Sequence, residues 1–308
     1  MTGQQHSPRH RLAHRARLLT LAAAGLVISA CGAGTASAGP AATSARAASP
    51  GAPQAGQTAK SRATASIAAK GAVRGTARGG VSGTEAGPLA GKVVGIDPGH
   101  NGRNKNDPAD INHLIWNGRE WETCNTTGTE TDSGYTEARY NFNVASYLRA
   151  DLRRAGARVV MTRTSNHGVG PCVNRRAAII NHGHASAAVD IHADGGPPSG
   201  RGFTVLEPVA DGPNDKVIAS SERLGRDVRS AFLRDTKMTV STYDGVNGIN
   251  HRDDLAGLNL SRVPTILIEC GNMRNATDAA MLTSTRFQQQ AARALEAAII
   301  AFRRNPQR

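Results

Sequence analysis

The sequence predicts a single α/β domain over residues 92–306, with a mixed, mainly parallel β-sheet flanked by helices. Two observations lead to this prediction. Short apolar runs alternate with longer helical patterns through this part of the chain, and three of those runs end on residues able to carry chemistry. Alternating strands and helices are typical of parallel sheets, in which a helix crosses over between two strands.

Five apolar runs have the length of buried strands: 93–97, 158–163, 187–192, 202–208 and 265–270. Four segments place apolar residues at helical spacing: 137–155, 174–183, 214–235 and 279–303. In the first of these, Phe142, Ala145, Leu148 and Leu152 share a face, and Gly156 follows as a stop signal.

The start of the chain has the pattern of a secretory signal over residues 1–31. Residues 1–17 contain four arginines and no acid, and residues 18–30 are apolar but shorter than the roughly 20 residues that span a bilayer. A buried core helix is the alternative interpretation. Processing is expected either at Cys31, as in a lipoprotein, or after Ala38 at a small-residue site, with a slight preference for the lipid anchor. Both routes place the mature protein in the periplasm or cell envelope.

Residues 32–91 are dominated by Ala, Gly, Ser, Thr and Pro and predict a disordered tether, because so little apolar surface cannot offset the entropy of ordering. The net charge of +13 is concentrated at this end, since residues 1–92 hold 11 of the 37 Lys and Arg but one of the 24 acids. Such a tether favours an anionic envelope surface. We expect no nucleic-acid partner, because an exported protein rarely meets one.

The cysteines predict one disulfide. Cys124 and Cys172 lie in polar, loop-like stretches, whereas Cys270 ends an apolar run and resembles a small core residue. In an oxidising compartment, with Cys31 removed or lipidated, a bond between Cys124 and Cys172 follows.

Three of the strands run directly into His100, His192 and Glu269. The carboxyl ends of parallel strands meet at one edge of a sheet, where ligands bind in open α/β folds. Glu137 opens a predicted helix, and its N-terminal turn faces the same edge. Two His and one carboxylate form a catalytic zinc site, and a further carboxylate serves as general base. We therefore assign His100, Glu137 and His192 as ligands and Glu269 as base.

Each of these residues also has an ordinary structural interpretation. His100 can cap a loop, Glu137 can interact with the helix dipole, and His192 can be a satisfied core residue. Glu269 is more informative, because a carboxylate between apolar neighbours is costly unless it is paired or functional. The pair His182 and His184 precedes a strand and so belongs to the opposite edge of the sheet. The loop histidines, expected to be solvated or in contact with substrate, are His113, His167 and His251.

Six stretches, in this order, resemble the zinc-dependent N-acetylmuramoyl-L-alanine amidases of the type 3 class, most closely the small single-domain actinobacterial members. They are GIDPGHNG (95–102), 134–163, NRRAAIIN (174–181), DIHAD (190–194), HRDDLAGLNL (251–260) and PTILIECGNMRN (264–275). The resemblance implies zinc-dependent hydrolysis of the bond between N-acetylmuramic acid and L-alanine in peptidoglycan. It covers about residues 92–303, and we expect a monomer.

The family pattern places its zinc ligands at His100, Glu137 and His192 and its catalytic Glu at Glu269, in agreement with the assignments from the residues alone. It also has arginines at the positions of Arg163 and Arg175, which the resemblance implies are structural or substrate-orienting. One departure is the polar insert 101–133, longer than in many relatives, which contains Trp116, Trp121 and Cys124. The sequence leaves open whether this insert covers, lines or stabilises the site.

Two rival functions remain. A non-catalytic, zinc-binding wall module would keep the three ligands but need no base, so Glu269 argues against it. Another zinc hydrolase of peptidoglycan, a peptidase or a deacetylase, is disfavoured by the order of the motifs, although the chemistry of the residues alone does not distinguish it.

Overall fold

The computed structural model of the chain describes residues 86–305. The signal segment and all but the last residues of the tether expected from the sequence lie outside this range. Six strands form the main sheet: β1 (Val93–Pro98), β4 (Arg158–Met161), β5 (Ala187–Asp194), β6 (Thr204–Pro208), β7 (Ile249–Arg252) and β8 (Thr265–Asn272). A separate hairpin is formed by β2 (Leu114–Trp116) and β3 (Trp121–Thr123).

The main sheet is mixed and mainly parallel, as the sequence predicts. Its strand order is β4-β1-β5-β8-β6-β7, and of its five neighbouring pairs β6–β8 is the antiparallel one. The carboxyl ends of β1, β5 and β8, three adjacent parallel strands, therefore lie along one edge.

The helices cover both faces of the sheet. They are α1 (Pro108–Asn112), α2 (Glu137–Arg154), α3 (Val173–His182), α4 (Ile218–Asp235), α5 (Ala256–Asn259), α6 (Ala276–Leu282) and α7 (Thr285–Arg304). On one face α2 and α4 pack on the strands, with α7 across both helices; on the other, α3 packs on β1 and β4, and α5 on β6 and β8. In the part of the chain that the structure describes, no helix has both the length and the apolar character needed to cross a membrane.

Alternation along the strands separates the core from the site. On β5, Val189 and Ile191 join the main hydrophobic core beneath α2, α4 and α7, while Asp190 and His192 face the other side. On β8, Ile268 likewise joins that core. Because successive side chains of a strand point to opposite faces, the core-forming residues fix the face on which the polar residues must appear.

The structure differs from the sequence prediction in three places. The predicted helix 279–303 is two helices, since Ser284 begins α7 by accepting a hydrogen bond from the amide of Phe287. The segment 214–235 starts with a 3-10 turn (Asp215–Val217) before α4. The edge strand β7 and the hairpin are additional, because runs of three or four residues are too short to give a strand pattern.

Candidate active site

His100 lies two residues after the end of β1. The residue between them, Gly99, has no room for a side chain. A Cβ on Gly99 would be 2.1 Å from Nε2 of His192. His100 itself has a left-handed backbone (φ 57°). Its Nδ1 donates to the carbonyl of Thr126 at 3.2 Å, which turns Nε2 toward Glu137, 3.1 Å from Oε1. The ring is therefore held at one nitrogen and offers the other to the site.

His192 lies near the end of β5 and is arranged in the same way. Its Nδ1 is 2.8 Å from Oε1 of Glu137, and its Nε2 is 3.3 Å from Oδ1 of Asp190. Burial lowers the pKa of His192, but Asp190 and Glu137 outweigh this effect, so its pKa lies well above the ordinary value. The two acidic side chains thus favour the protonated form of this imidazole.

Glu137 is the first residue of α2, and its carboxylate joins the two histidines. Oε2 accepts the amide of Thr129 at 3.0 Å, and Oε1 accepts Nδ2 of Asn141 at 3.3 Å. Burial raises the pKa of Glu137, but the ion pairs with His100 and His192 dominate and hold it well below the usual range. The side chain is therefore an anion in a fixed orientation.

Among residues 86–305, two places bring together three His, Cys, Asp or Glu side chains able to share one ion. The first is His100, Glu137 and His192, the set expected from the sequence. The second is His113 with Cys124 and Cys172, but those two sulfurs are joined in the disulfide that the sequence predicts. Neither sulfur is then a free thiolate, which is the form that binds metals.

Glu269 lies on β8 directly beside His192 in the register of the sheet. It lines the same cavity as His100, Glu137 and His192, and its Oε2 is buried without a hydrogen-bond partner among the described residues. Burial, and after it the neighbouring carboxylates led by Glu137, raise the pKa of Glu269 well above the ordinary value, although His192 opposes the shift. The group is thus placed at the metal-capable cluster with one oxygen free for another partner.

Two buried arginines hold the turn that carries His100. Arg176 donates to Asp97 and to the carbonyls of Pro98 and His100, at 2.6, 2.8 and 2.7 Å. Arg163 donates to the carbonyls of Pro98 and Gly99 at 2.7 and 3.0 Å. These contacts pin the end of β1 from two sides.

The arginine contacts add a residue that the sequence analysis did not select. Arg175, the arginine selected in α3, is exposed, whereas its neighbour Arg176 is 1 % exposed and reaches the turn. Arg163 is 5 % exposed and bonded to backbone carbonyls, an arrangement that supports a structural role over contact with substrate.

The insert 101–133 lines the site and is held there by hydrogen bonds and by the disulfide. Thr126 contacts His100 through its carbonyl and its hydroxyl. A Cβ on Gly128 (φ 74°) would lie 2.8 Å from both Oε2 of Glu137 and Cδ2 of His100, so this position requires glycine. The disulfide links Cys124 to Cys172, just before α3. No signal in the sequence points to Thr126 or Gly128, because neither occurs in a pattern tied to the ligands.

Comparison with known proteins agrees with this geometry. Residues 94–301 match the model of a family described as N-acetylmuramoyl-L-alanine amidase. An N-acetylmuramoyl-L-alanine amidase of Mycobacterium tuberculosis is 39 % identical over 217 residues, which cover 68 % of this chain and 86 % of that protein.

Two crystal structures of an N-acetylmuramyl-L-alanine amidase named Ami1 also resemble the chain, each at 39 % identity and a TM-score of 0.66. The protein from Mycobacterium smegmatis matches over 70 % of this chain and 97 % of its own. The apo form from Mycobacterium abscessus matches over 70 % and 99 %. The chain belongs to the N-acetylmuramoyl-L-alanine amidase family.

Proposed function

We propose that the protein is a zinc-dependent amidase that hydrolyses the bond between the lactyl group of N-acetylmuramic acid and the L-alanine of the stem peptide. The observation that carries the proposal is the convergence of His100, Glu137 and His192 on one point, with a carboxylate oxygen of Glu269 in the same cavity that has no hydrogen-bond partner among residues 86–305. The substrate is inferred from family membership, and the reaction chemistry is inferred from the residues of the site.

The donor set fits zinc. Two imidazoles and one carboxylate, with a position left open, are the protein ligands of catalytic zinc sites. His100 Nδ1 is bonded to a carbonyl and His192 Nε2 lies at a carboxylate, the outer contacts that fix the orientation and tautomer of metal-binding histidines. When bound, Zn²⁺ polarises the amide carbonyl and lowers the pKa of a water molecule to about 7.

Glu269 acts as the proton carrier. Its free oxygen accepts a proton from the attacking water and returns it to the alanine nitrogen as the amide bond breaks. Near a divalent cation the carboxylate is ionised despite its burial, since the charge of the ion reverses the local preference for the neutral form. A wall-binding module without catalysis has no use for a buried acid at this position, so Glu269 favours an enzyme.

Arg163 and Arg176 are positioning residues in this proposal. They contact the carbonyls at Pro98, Gly99 and His100 and so hold the first ligand in place. The backbone of Thr126 and Thr129 performs the same function for His100 and Glu137 from the side of the insert.

The decisive experiment is digestion of purified peptidoglycan, followed by mass analysis, with and without a chelator. An amidase releases free stem peptides and leaves the glycan intact. Cleaved peptides would instead indicate a peptidase, and free acetate a deacetylase. We expect stem peptides, no release in chelator, and recovery when zinc is restored.

The substrate places the protein's action in the cell envelope. We further propose export by the segment 1–31 with lipid attachment at Cys31, the alternative being cleavage after Ala38. Labelling the native host with a fatty-acid probe separates the two routes, because the Cys31 route alone gives a lipid-bearing product. Full-length protein in the cytoplasm with residues 1–30 still attached would contradict both.

A further inference from the structure

The hairpin of the insert exposes an aromatic pair that the chemistry of the site does not use. Trp116 and Trp121 are the two tryptophans of the chain, and they are 46 % and 64 % exposed. They face each other across the hairpin, with ring centroids 5.7 Å apart and ring planes inclined by 69°. We call Trp116 and Trp121 the indole corner.

The inner face of this hairpin packs on the rest of the domain, whereas the apolar side chains of its outer face are exposed. Ile115 is 7 % exposed and belongs to a small core with Cys124 and Ala256. On the outer face Leu114, 60 % exposed, adjoins the indole corner. Three of the six large apolar side chains that are exposed among residues 86–305 thus share this one face. Exposed apolar clusters of this kind mark binding surfaces.

The outer face of the hairpin leads to the active site. Thr123 lies two residues after Trp121 on the same face, about 7 Å along the strand, and it lines a cavity together with His100 and His192. Glu122, on the inner face, lines that cavity as well. A ligand chain that enters the site along this strand passes the indole corner.

We propose that the indole corner binds a sugar ring of the glycan strand that carries the scissile amide. The inference rests on the proposed function, because the amide is attached to a sugar and the neighbouring sugars must lie close to the cleft. A pyranose ring presents a flat array of C–H bonds, and the face of an indole carries the negative part of its quadrupole, which attracts them. Two rings inclined to each other form a corner that contacts a sugar from two directions.

Because both tryptophans lie in the indole corner, tryptophan fluorescence, excited selectively so that the four tyrosines do not contribute, reports on this corner alone. Titration with peptide-free glycan strands should give a saturable blue shift of the emission and protection from a soluble quencher. Neither effect requires catalysis, so this measurement is independent of the proposed reaction.

Kinetics supply the second readout. Trp116→Ala and Trp121→Ala should each raise KM for polymeric peptidoglycan about tenfold with kcat within twofold, and should leave turnover of a soluble muramoyl peptide with one sugar unchanged. Trp121→Phe keeps an aromatic face and should recover most of the loss. Leu233→Ala, which removes an exposed apolar side chain (42 %) on α4, is the matched control and should behave like the wild type.

Three results would overturn the proposal. The first is the absence of a spectral change with glycan strands from a protein that still releases peptide from the small substrate. The second is a change that depends on protein concentration, with dimers in sedimentation, which would assign the surface to a second copy of the chain. The third is equal loss on both substrates with a lower melting temperature, which would assign the pair to hairpin stability. Failure of peptide release from the small substrate by the wild type contradicts the proposed function instead.

Discussion

Glu269 and His192 are neighbours on adjacent strands but have different proposed tasks, and metal content separates them. Glu269→Gln keeps the shape of the side chain but cannot take up the proton, so activity should fall by about 10²–10⁴-fold or more while bound zinc is retained. His100→Ala or His192→Ala removes a ligand, so each variant should lose both activity and bound zinc. The measurement is zinc per chain on dialysed protein beside peptide release. The role of Glu269 is wrong if the Gln variant loses its zinc or keeps near-normal turnover.

Arg175 and Arg176 form a natural matched pair on α3. Arg176→Gln leaves the buried Asp97 without its ion partner and frees the carbonyls of Pro98 and His100. Breaking a buried pair in this way costs about 3–5 kcal/mol, and zinc affinity should fall because His100 is less well fixed. Arg175→Gln changes an exposed side chain and should stay within about 0.5 kcal/mol of the wild type. Urea unfolding compares the stability of the two variants, and zinc titration compares their affinity; equal zinc affinities would contradict the positioning role.

The residues that sequence reasoning identified and those it missed differ in how they are encoded. His100, His192 and Glu269 each end an apolar run, so local pattern and the geometry of parallel sheets suffice to bring them together. Arg176, Thr126 and Gly128 act through contacts that are distant in the sequence. Arg176 lies 79 positions from Asp97, and Thr126 lies 26 positions from His100. Gly128 lies 9 positions from Glu137 and 28 from His100. No local pattern records such contacts, and at Arg175 and Arg176 two adjacent arginines differ only in which face of the helix they occupy.

At the scale of elements, long apolar strands and amphipathic helices were predictable, because burial of a whole face leaves a periodic signal. The structure of the insert was not predictable in this way, because β2 and β3 have three residues each. Ile115 is the one apolar side chain of these two strands that is buried. The order of the insert depends instead on a covalent bond to the start of α3 and on hydrogen bonds such as that from Asn104 to Thr126, at 2.7 Å.

Loss of the disulfide should therefore destabilise the fold and loosen the insert. Cys124 and Cys172 are 48 residues apart, and in the chain-entropy model closing such a loop contributes about 4 kcal/mol. The double variant Cys124→Ser/Cys172→Ser should show a correspondingly lower unfolding midpoint and weaker zinc binding, because Thr126 and Gly128 lie within four residues of Cys124. Untreated wild type should show neither thiol in titration. Identical midpoints with and without reductant would contradict the structural role of the bond.

The packing of β6 on α4 contains a buried acid whose titration should appear in the stability of the fold. Glu207 is 3 % exposed and lies against Gly225. Burial, together with the nearby Glu222 and against the effect of Arg226, raises its pKa from 4.5 to about 7. Between these values the folded protein holds a proton on Glu207 that the unfolded chain has released, so this group lowers the free energy of unfolding as pH rises from about 4.5 to 7.

Glu207→Gln should remove this decrease in the free energy of unfolding, because a glutamine side chain does not titrate. The variant should gain stability relative to the wild type as pH rises through this window, and the difference should level off above pH 7. Urea unfolding of both proteins from pH 4.5 to 8 gives the comparison, with Glu120→Gln, an exposed acid, as the control. A difference that does not change with pH would show that Glu207 titrates normally.

Zinc should stabilise the molecule as a whole, because its proposed ligands come from the end of β1, the start of α2 and the end of β5 and so tie three separate elements together. A ligand that binds only the folded state at about 100 times its Kd adds about 2.7 kcal/mol. For a domain of this size each kcal/mol raises Tm by about 2–4 °C, so a chelator should lower Tm by roughly 5–10 °C. The shift should shrink as pH falls, since the raised pKa of His192 means that zinc must displace a proton to bind. Thermal melts at several pH values test this: Glu269→Gln should retain the shift and His192→Ala should lose it, and a shift that survives in His192→Ala would place the ion elsewhere.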